Sequence, residues 1–555
     1  MNLLIKKFKQ NQSKIVYCIL FVYFLAGLLT FKDYGVSIDE KFQRLSGFHW
    51  LEYLLSFTEL SSLQDIVKLK ISSVSDYTLP IFLQNMKYSV FFDVPSALIE
   101  ITLKIEESKK YFEIRHFLNF FIFFLSSIFF YKILNNRFSN ENVSLIGLVF
   151  YILSPKIYGA SFYNNKDIIF LSVLVISIYY FFKAIDRLEY KNIILLSSTL
   201  AIATTFRIIG IFFPLLFVIF YFFSIISKKD DLVFLPKIIS FIFCYFFFLY
   251  IFWPYLWISP IENFVSLFNV GEMLIPMKIF FNGVYVNSNF LPDHYLVTWI
   301  AISTPVVHLL FFALGFFYCF RRFLLRFIKI EKNKESYDLW RGKNEKKDLL
   351  ILISLILIPL YLIYSQTIIN NSWRHLFFLN IFLVYFISYG VYIILLNFKN
   401  KRTKIYLNVF ILIALAHVGS RMFFYHPYQS TYFNFLVSSQ TKNNFEIDYM
   451  GLTGIKFLRE ILKEETDNNK KVSIAVGSFL PLHNSMDLLK ESEKKRLIIY
   501  GNEYDKADYI YSNIISEVDK NVDKKYEIPN NFTHLYSFNI YGGKLYNVYK
   551  KKKNK

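Results

Sequence analysis

The chain has 555 residues, 55% of them hydrophobic and 20% aromatic, with a mean hydropathy of +0.37. Its net charge of +20 is concentrated in short connections between long apolar blocks, the pattern of loops facing anionic lipid rather than nucleic acid. The three cysteines, Cys18, Cys244 and Cys319, all lie in apolar blocks, which supports neither a disulfide framework nor a Cys-based metal site. There is no Gly-rich phosphate loop of the Walker type and no dinucleotide fingerprint, which disfavours an ATP-driven pump or a cytoplasmic nucleotide-sugar enzyme.

In chain order, a basic then apolar N-terminus reads as an uncleaved anchor, because no small-residue cleavage site follows it. Apolar stretches of roughly 20 residues suit bilayer-crossing helices. They predict about eleven spans, at 15–31, 113–134, 143–160, 168–184, 192–206, 208–226, 235–257, 297–319, 348–366, 376–397 and 405–422. Lys6, Lys7, Lys9 and Lys14 place the N-terminus inside. Alternation then puts 320–347 (with Arg321, Arg322, Arg326 and Lys329), 398–404 (with Lys399, Lys401, Arg402 and Lys404) and the loop holding Lys228 and Lys229 on the cytoplasmic side, as their charge requires. Segments 32–112, 161–167, 258–296 and 367–375, a tight turn near Arg207 and the tail from 423 fall outside. Within 32–112, the helical spacing of apolar residues from Leu45 to Leu55 predicts a helix on the membrane surface.

The tail reads as a small α/β domain, 423–555, after a membrane domain, 1–422. Its predicted strands are Lys471 to Val476, Arg496 to Tyr500, Tyr509 to Tyr511 and Leu545 to Tyr549; its predicted helices are Ile455 to Glu464 and Leu482 to Glu493. The run Lys550 to Lys555 reads as a solvated end, and no internal repeat is present.

Polar residues collect on the outer side of this topology: Asp39 and Glu40, Lys166 and Asp167, Arg207, His294 and Tyr295, Arg374 and His375. Charge at the edge of a span is costly and marks candidate function. A carboxylate there can take a proton from an acceptor hydroxyl or amine, while Arg or Lys can hold a phosphate as charge grows on it. Together they suit group transfer from a lipid phosphate. Each has a plainer reading. The Asp-Glu pair can be a solvated loop, Arg207 and Arg374 can snorkel to headgroups, Lys166 and Asp167 can form a surface ion pair, and His294 and His375 can be structural.

Four stretches carry a resemblance. They are Ser37-Ile-Asp-Glu; Ser154-Pro-Lys-Ile-Tyr-Gly-Ala-Ser-Phe-Tyr-Asn-Asn-Lys-Asp; Phe252-Trp-Pro-Tyr-Leu-Trp with Leu291-Pro-Asp-His-Tyr; and His426-Pro-Tyr-Gln-Ser-Thr-Tyr-Phe-Asn with Asp448-Tyr-Met-Gly-Leu. In this order the chain resembles GT-C class membrane glycosyltransferases, close to the family 39 protein mannosyltransferases and the bacterial lipid A aminoarabinose transferases. The resemblance runs from residue 1 to about 460; the last 90 residues match none of these patterns.

The resemblance implies a polytopic helical GT-C-like fold and an inverting transfer from a polyprenyl-phosphate sugar. Asp39 would be the catalytic base, with Glu40 shaping the site and Asp167 as the second external acid. Arg207 and Arg374 would attend the lipid phosphate. Lys166, His294, Tyr295 and His375 are added as candidate substrate-binding residues. Relatives differ in metal dependence; no metal ligand is assigned, and a divalent metal stays open. The tail lacks the large β-domain of eukaryotic protein mannosyltransferases, so lipid, glycan and protein remain alternative acceptors. A multi-pass place in a bacterial inner membrane, with the site on the outer face, follows. A lipid-linked-glycan transporter or flippase is the competing reading, disfavoured by the scarcity of charge inside the central spans; a non-catalytic scaffold is the third.

Overall fold

The computed structural model describes residues 2–73, 87–227, 234–268, 277–328, 340–398, 400–467, 470–480, 482–513 and 526–552. Lys228, Lys229, Lys329, Lys399 and the end of the terminal lysine run lie outside these residues, as do the side chains of Lys6, Lys7, Lys9 and Arg326.

Among the described residues, nine helices are long and apolar enough to cross a bilayer. The pair Glu141–Ile152 and Pro155–Tyr163, bent by 61°, is apolar enough to make a tenth if the two helices form one broken span. The bend falls at Pro155, which opens the second helix and cannot donate the backbone bond that would continue the first. The eleventh predicted span is the 17-residue helix Tyr190–Phe206. At 1.5 Å per residue it is about 25 Å long, short of the hydrocarbon core. It still runs from the end of the bundle where Asp186 meets Lys347 to the end where Arg207 meets Asp167. The predicted span 297–319 is two helices, Tyr295–Ser303 and Val306–Ile328, interrupted at Pro305.

Ion pairs mark the two ends of the bundle. At one end Asp348, fully buried, accepts from Arg137 Nε at 2.6 Å, from Arg322 at 2.8 Å and from Tyr385 at 2.5 Å. These residues come from helices Ser108–Phe138, Val306–Ile328, Gly342–Tyr364 and Leu379–Asn397, so one carboxylate ties four helices together. At the middle of the bundle, Gly315 and Gly390 let Val306–Ile328 and Leu379–Asn397 approach until each backbone touches the other. Small residues serve this purpose in membrane bundles, where dispersion rather than water exclusion holds helices together.

At the other end, the segment after the first span folds as helix Glu40–Leu55. The predicted helix is present, but it is packed within the protein rather than carrying a free apolar face. Phe48, Trp50 and Leu51 are buried, and Arg44 pairs with Glu100 of helix Asp93–Thr102 at 2.5 Å.

The tail contains a five-stranded sheet, in the spatial order Leu497–Ile499 (β4), Val472–Val476 (β3), Tyr509–Ser512 (β5), Gly543–Lys551 (β7), Phe532–Ile540 (β6). Strands β3 (Val472–Val476), β4 (Leu497–Ile499) and β5 (Tyr509–Ser512) are parallel; β6 (Phe532–Ile540) and β7 (Gly543–Lys551) form an antiparallel hairpin on the β5 edge. A separate hairpin, β1 (Lys278–Phe281) and β2 (Val284–Asn287), lies before the span interrupted at Pro305. Helix Gly454–Glu464 forms as predicted, and its buried face includes Phe457, Leu458 and Ile461. The predicted helix Leu482–Glu493 is instead two single turns, His483–Met486 and Glu491–Lys494. Strand β6 was not predicted, because its apolar residues are spaced irregularly around the register shifts at His534/Tyr536 and Phe538/Asn539.

The tail docks directly on the loop after the first span. Ile38 N–H donates to Met450 O at 3.1 Å. Gly35 lies so close to Leu452 that any side chain there would meet the Leu452 carbonyl. This docking brings Asp39 to the entry of the tail.

Candidate active site

Asp39 sits immediately before helix Glu40–Leu55 and leaves that helix end uncapped by its side chain. Its carboxylate is instead turned to Arg374, whose Nη1 donates to Oδ2 at 2.6 Å. The Asp39 side chain keeps 37% of its surface exposed, enough for an incoming group to reach it. Its place in the protein disfavours charge, but Arg374 first and Lys166 next outweigh that and hold its pKa below the ordinary value. The carboxylate is therefore ionised near neutral pH, the state a general base requires.

Arg374 lies in a short turn, Arg374–Leu376, ahead of helix Leu379–Asn397. Beyond Asp39 it faces the ring of Tyr449 at 5.6 Å and Met450 Sδ at 3.6 Å. Burial disfavours its charge, but Asp39 more than compensates, so its pKa is raised. Beside it, burial and then the charges of Arg207 and Arg374 hold His375 well below its ordinary pKa, which keeps that ring neutral.

A cavity opens next to Arg374. Its wall includes Lys156, Tyr163, Asn371, Ser372, Asp448 and Tyr449. At about 20 Å³ it has room for about one water. Asp448 is committed within the tail, accepting from Leu452 N–H at 3.1 Å and from Thr453 Oγ1 at 2.6 Å. Burial nevertheless raises its pKa to about 6. Glu446 accepts from Phe280 N–H at 3.3 Å, and burial pushes its pKa up to about 8.

The other predicted residues take different places. Glu40 is buried away from the cavity, where it accepts from Ser37 N–H at 2.6 Å and lies 2.9 Å from His116 Nε2. Asp167 is buried and already bonded. It accepts from Arg207 Nε at 2.9 Å and from Asn164 Nδ2 at 2.9 Å, and its own N–H donates to Asn164 Oδ1 at 2.9 Å. Asp167 and Arg207 thus latch the start of one helix to the end of the next. Lys166 lies 3.6 Å from the centre of the Tyr88 ring, near enough to Asp39 to lower its pKa. His294 is exposed, and Tyr295 is buried against Phe281, with ring centres 4.8 Å apart. Neither lines the cavity.

Lys156, Asn371, Ser372 and Tyr449 were not singled out individually from the sequence. Lys156 was detectable in principle, as the one cation within the apolar stretch 143–160. Asn371 and Ser372 had no such signal; their place comes from two successive residues with positive φ, 59° and 53°, which turn the chain back towards Arg374. Among the described residues, no three His, Cys, Asp or Glu side chains gather as metal ligands.

Residues 94–258 match the family model described as dolichyl-phosphate-mannose-protein mannosyltransferase. Over that segment the chain is similar to that family. The match contains the bent span, the Asp167–Arg207 latch and the helices between them. No curated protein matches the chain. Among solved structures it is similar to ArnT from Cupriavidus metallidurans bound to undecaprenyl phosphate, at 8% identity and TM-score 0.43, covering 97% of each chain. It is also similar to the apo oligosaccharyltransferase of Archaeoglobus fulgidus, at 11% identity and TM-score 0.42, covering 77% of this chain and 62% of that one. The Archaeoglobus fulgidus oligosaccharyltransferase AglB, in complex with an inhibitory peptide and a dolichol-phosphate, is likewise 11% identical at TM-score 0.42, covering 83% and 66%. These likenesses are too distant to carry a residue-by-residue correspondence.

Proposed function

We propose that this protein is an inverting glycosyltransferase that moves a sugar from a polyprenyl-phosphate donor to an acceptor on the outer face of a membrane. The observation that carries the reading is the 2.6 Å pair between Arg374 and Asp39 beside a polar cavity at one end of a multi-span bundle. In this scheme Asp39 takes the proton of an acceptor hydroxyl as its oxygen attacks the anomeric carbon. The bond from that carbon to the phosphate oxygen breaks, and the polyprenyl phosphate leaves with the bonding electrons. Attack from the side opposite the phosphate inverts the anomeric centre. Arg374 stands at Asp39 and is the cation best placed to meet the charge that develops on the leaving phosphate. A phosphate drawing on Arg374 also frees Asp39 from part of its neutralising partner, making it a better base at the moment it is needed.

In the same reading, residues 1–422 form the catalytic membrane domain and 423–555 an outer domain that closes the site through Asp448, Tyr449 and Met450. Asp167 and Arg207 act as positioning residues. The membrane is taken to be a bacterial inner membrane, with the Asp348 cluster at the cytoplasmic end. Purified protein supplied with short polyprenyl-phosphate sugars, followed by mass spectrometry for released polyprenyl phosphate, tests the reaction.

A further inference from the structure

Lys156 is a buried amine with no carboxylate partner among the described residues. Only 8% of the residue's surface is exposed. Its Nζ donates to the Ser430 carbonyl at 3.0 Å and lies 5.1 Å from the centre of the Trp299 ring. Both contacts suit a cation, yet neither neutralises it. A lysine buried in a membrane bundle without a counter-charge is costly, and an anion entering beside it would supply what it lacks.

The groups around it have the same deficit. Ser372, 1% exposed, has a hydroxyl without a hydrogen-bond partner, and Arg374 Nε is likewise buried and unpaired. All three residues line the cavity beside the Asp39–Arg374 pair. The carboxylate on the same wall, Asp448, is engaged by Leu452 and Thr453. Of the other candidate phosphate ligands, Arg207 is paired with Asp167, and Lys166 is not part of this cavity wall. The cavity therefore offers hydrogen-bond donors and positive charge to an occupant rich in acceptors.

We infer that Lys156, Ser372 and Arg374 form an oxyanion site that takes the phosphate of a substrate, with Lys156 as its second cation. This rests on the transferase reading above and adds Lys156 and Ser372 to it. The phosphate can be that of the lipid carrier or one borne by the acceptor sugar; either presents the same tetrahedral array of oxygen acceptors. Binding it requires the cavity, now large enough for a single water, to widen.

The test uses the full-length protein in detergent and measures binding of farnesyl phosphate, farnesol and glucose 1-phosphate. Wild type should bind farnesyl phosphate well above farnesol. Lys156→Gln should weaken phosphate binding at least tenfold, Lys156→Arg should retain most of it, and Lys404→Gln, on the opposite end of the bundle, should leave it unchanged. Thermal unfolding of each variant, read alongside, shows whether Lys156→Gln remains folded; if it does not, retention by Lys156→Arg against loss in Lys156→Met decides. Loss of farnesyl phosphate binding assigns the site to the carrier, and loss confined to glucose 1-phosphate assigns it to the acceptor. A folded Lys156→Gln that binds both phosphates as wild type does overturns the inference and leaves the transferase reading standing. A wild type that binds no farnesyl phosphate counts against the transferase reading itself.

Discussion

Arg374 and Asp39 lie 335 positions apart in the chain, and their side chains meet at 2.6 Å. The first loop and the start of a late span are thereby joined at one point, and the backbone bond from Ile38 to Met450 adds the tail to the same point. Three distant segments meet at one carboxylate–guanidinium pair, which holds the Asp39 carboxyl below its ordinary pKa.

That dependence has a pH signature. Arg374 is the main group holding the Asp39 pKa down, and burial pushes the other way. In Arg374→Gln the restraint is gone, so the Asp39 pKa rises. A base works only when ionised, so the acidic limb of the kcat/KM profile should move to higher pH in that variant, with lower activity throughout. An acidic limb in the same place as in wild type contradicts the coupling.

Asp167 and Arg207 are predicted to matter through stability. Breaking a buried pair by removing one partner costs about 3–5 kcal/mol. Asp167→Leu should therefore lower the melting temperature markedly, and adding Arg207→Met should recover part of the loss. An Asp167→Asn protein that melts like wild type yet transfers no sugar would show that the carboxylate acts in the chemistry directly.

The opposite end of the bundle makes a similar prediction. Asp348 neutralises Arg137 and Arg322 at once. Asp348→Leu leaves two buried or half-buried guanidinium groups without an anion, and a loss of about 3–5 kcal/mol is expected. Unchanged thermal unfolding in detergent would show that the four helices meeting there are held by packing alone.

Glu446 gives a stability change with pH. Its pKa is about 8 in the folded protein against an ordinary value of 4.5. Between those values the folded protein holds a proton that the unfolded chain has released, so this group makes stability fall as pH rises. Below about pH 4.5 both states are protonated and the effect is absent. Glu446→Gln removes the ionisation. Its melting temperature should stay near that of wild type at pH 5 and exceed it by a growing margin up to about pH 8. Equal slopes for the two proteins would show that Glu446 is ionised already.

Much of this architecture was legible in the sequence because length and apolarity alone dictate spans, and most of the predicted spans lie where helices form. Asp39, Lys166 and Arg374 were candidates for a related reason: they stand where apolar blocks end, and the structure brings them near one another. What spacing could not supply was pairing. Nothing in the order of residues says that Arg207 is taken by Asp167 while Arg374 is turned to Asp39, because that choice depends on how the helices are arranged around them. Lys156 carried a signal as a lone cation, but its destination did not. A single lysine in an apolar stretch reads as part of a span until the bend at Pro155 turns it towards the cavity. Strand β6 escaped because its register shifts spoil the alternation that marks a strand.

The most direct test compares wild type with Asp39→Asn, both purified and shown to melt alike, on polyprenyl-phosphate sugars bearing several head groups in the presence of candidate acceptors. Mass spectrometry reads the polyprenyl phosphate released. The account predicts release by wild type with at least one donor and loss of at least 100-fold in Asp39→Asn, the order expected when a general base is removed (about 10²–10⁴-fold). Release by a folded Asp39→Asn at the wild-type rate would contradict it.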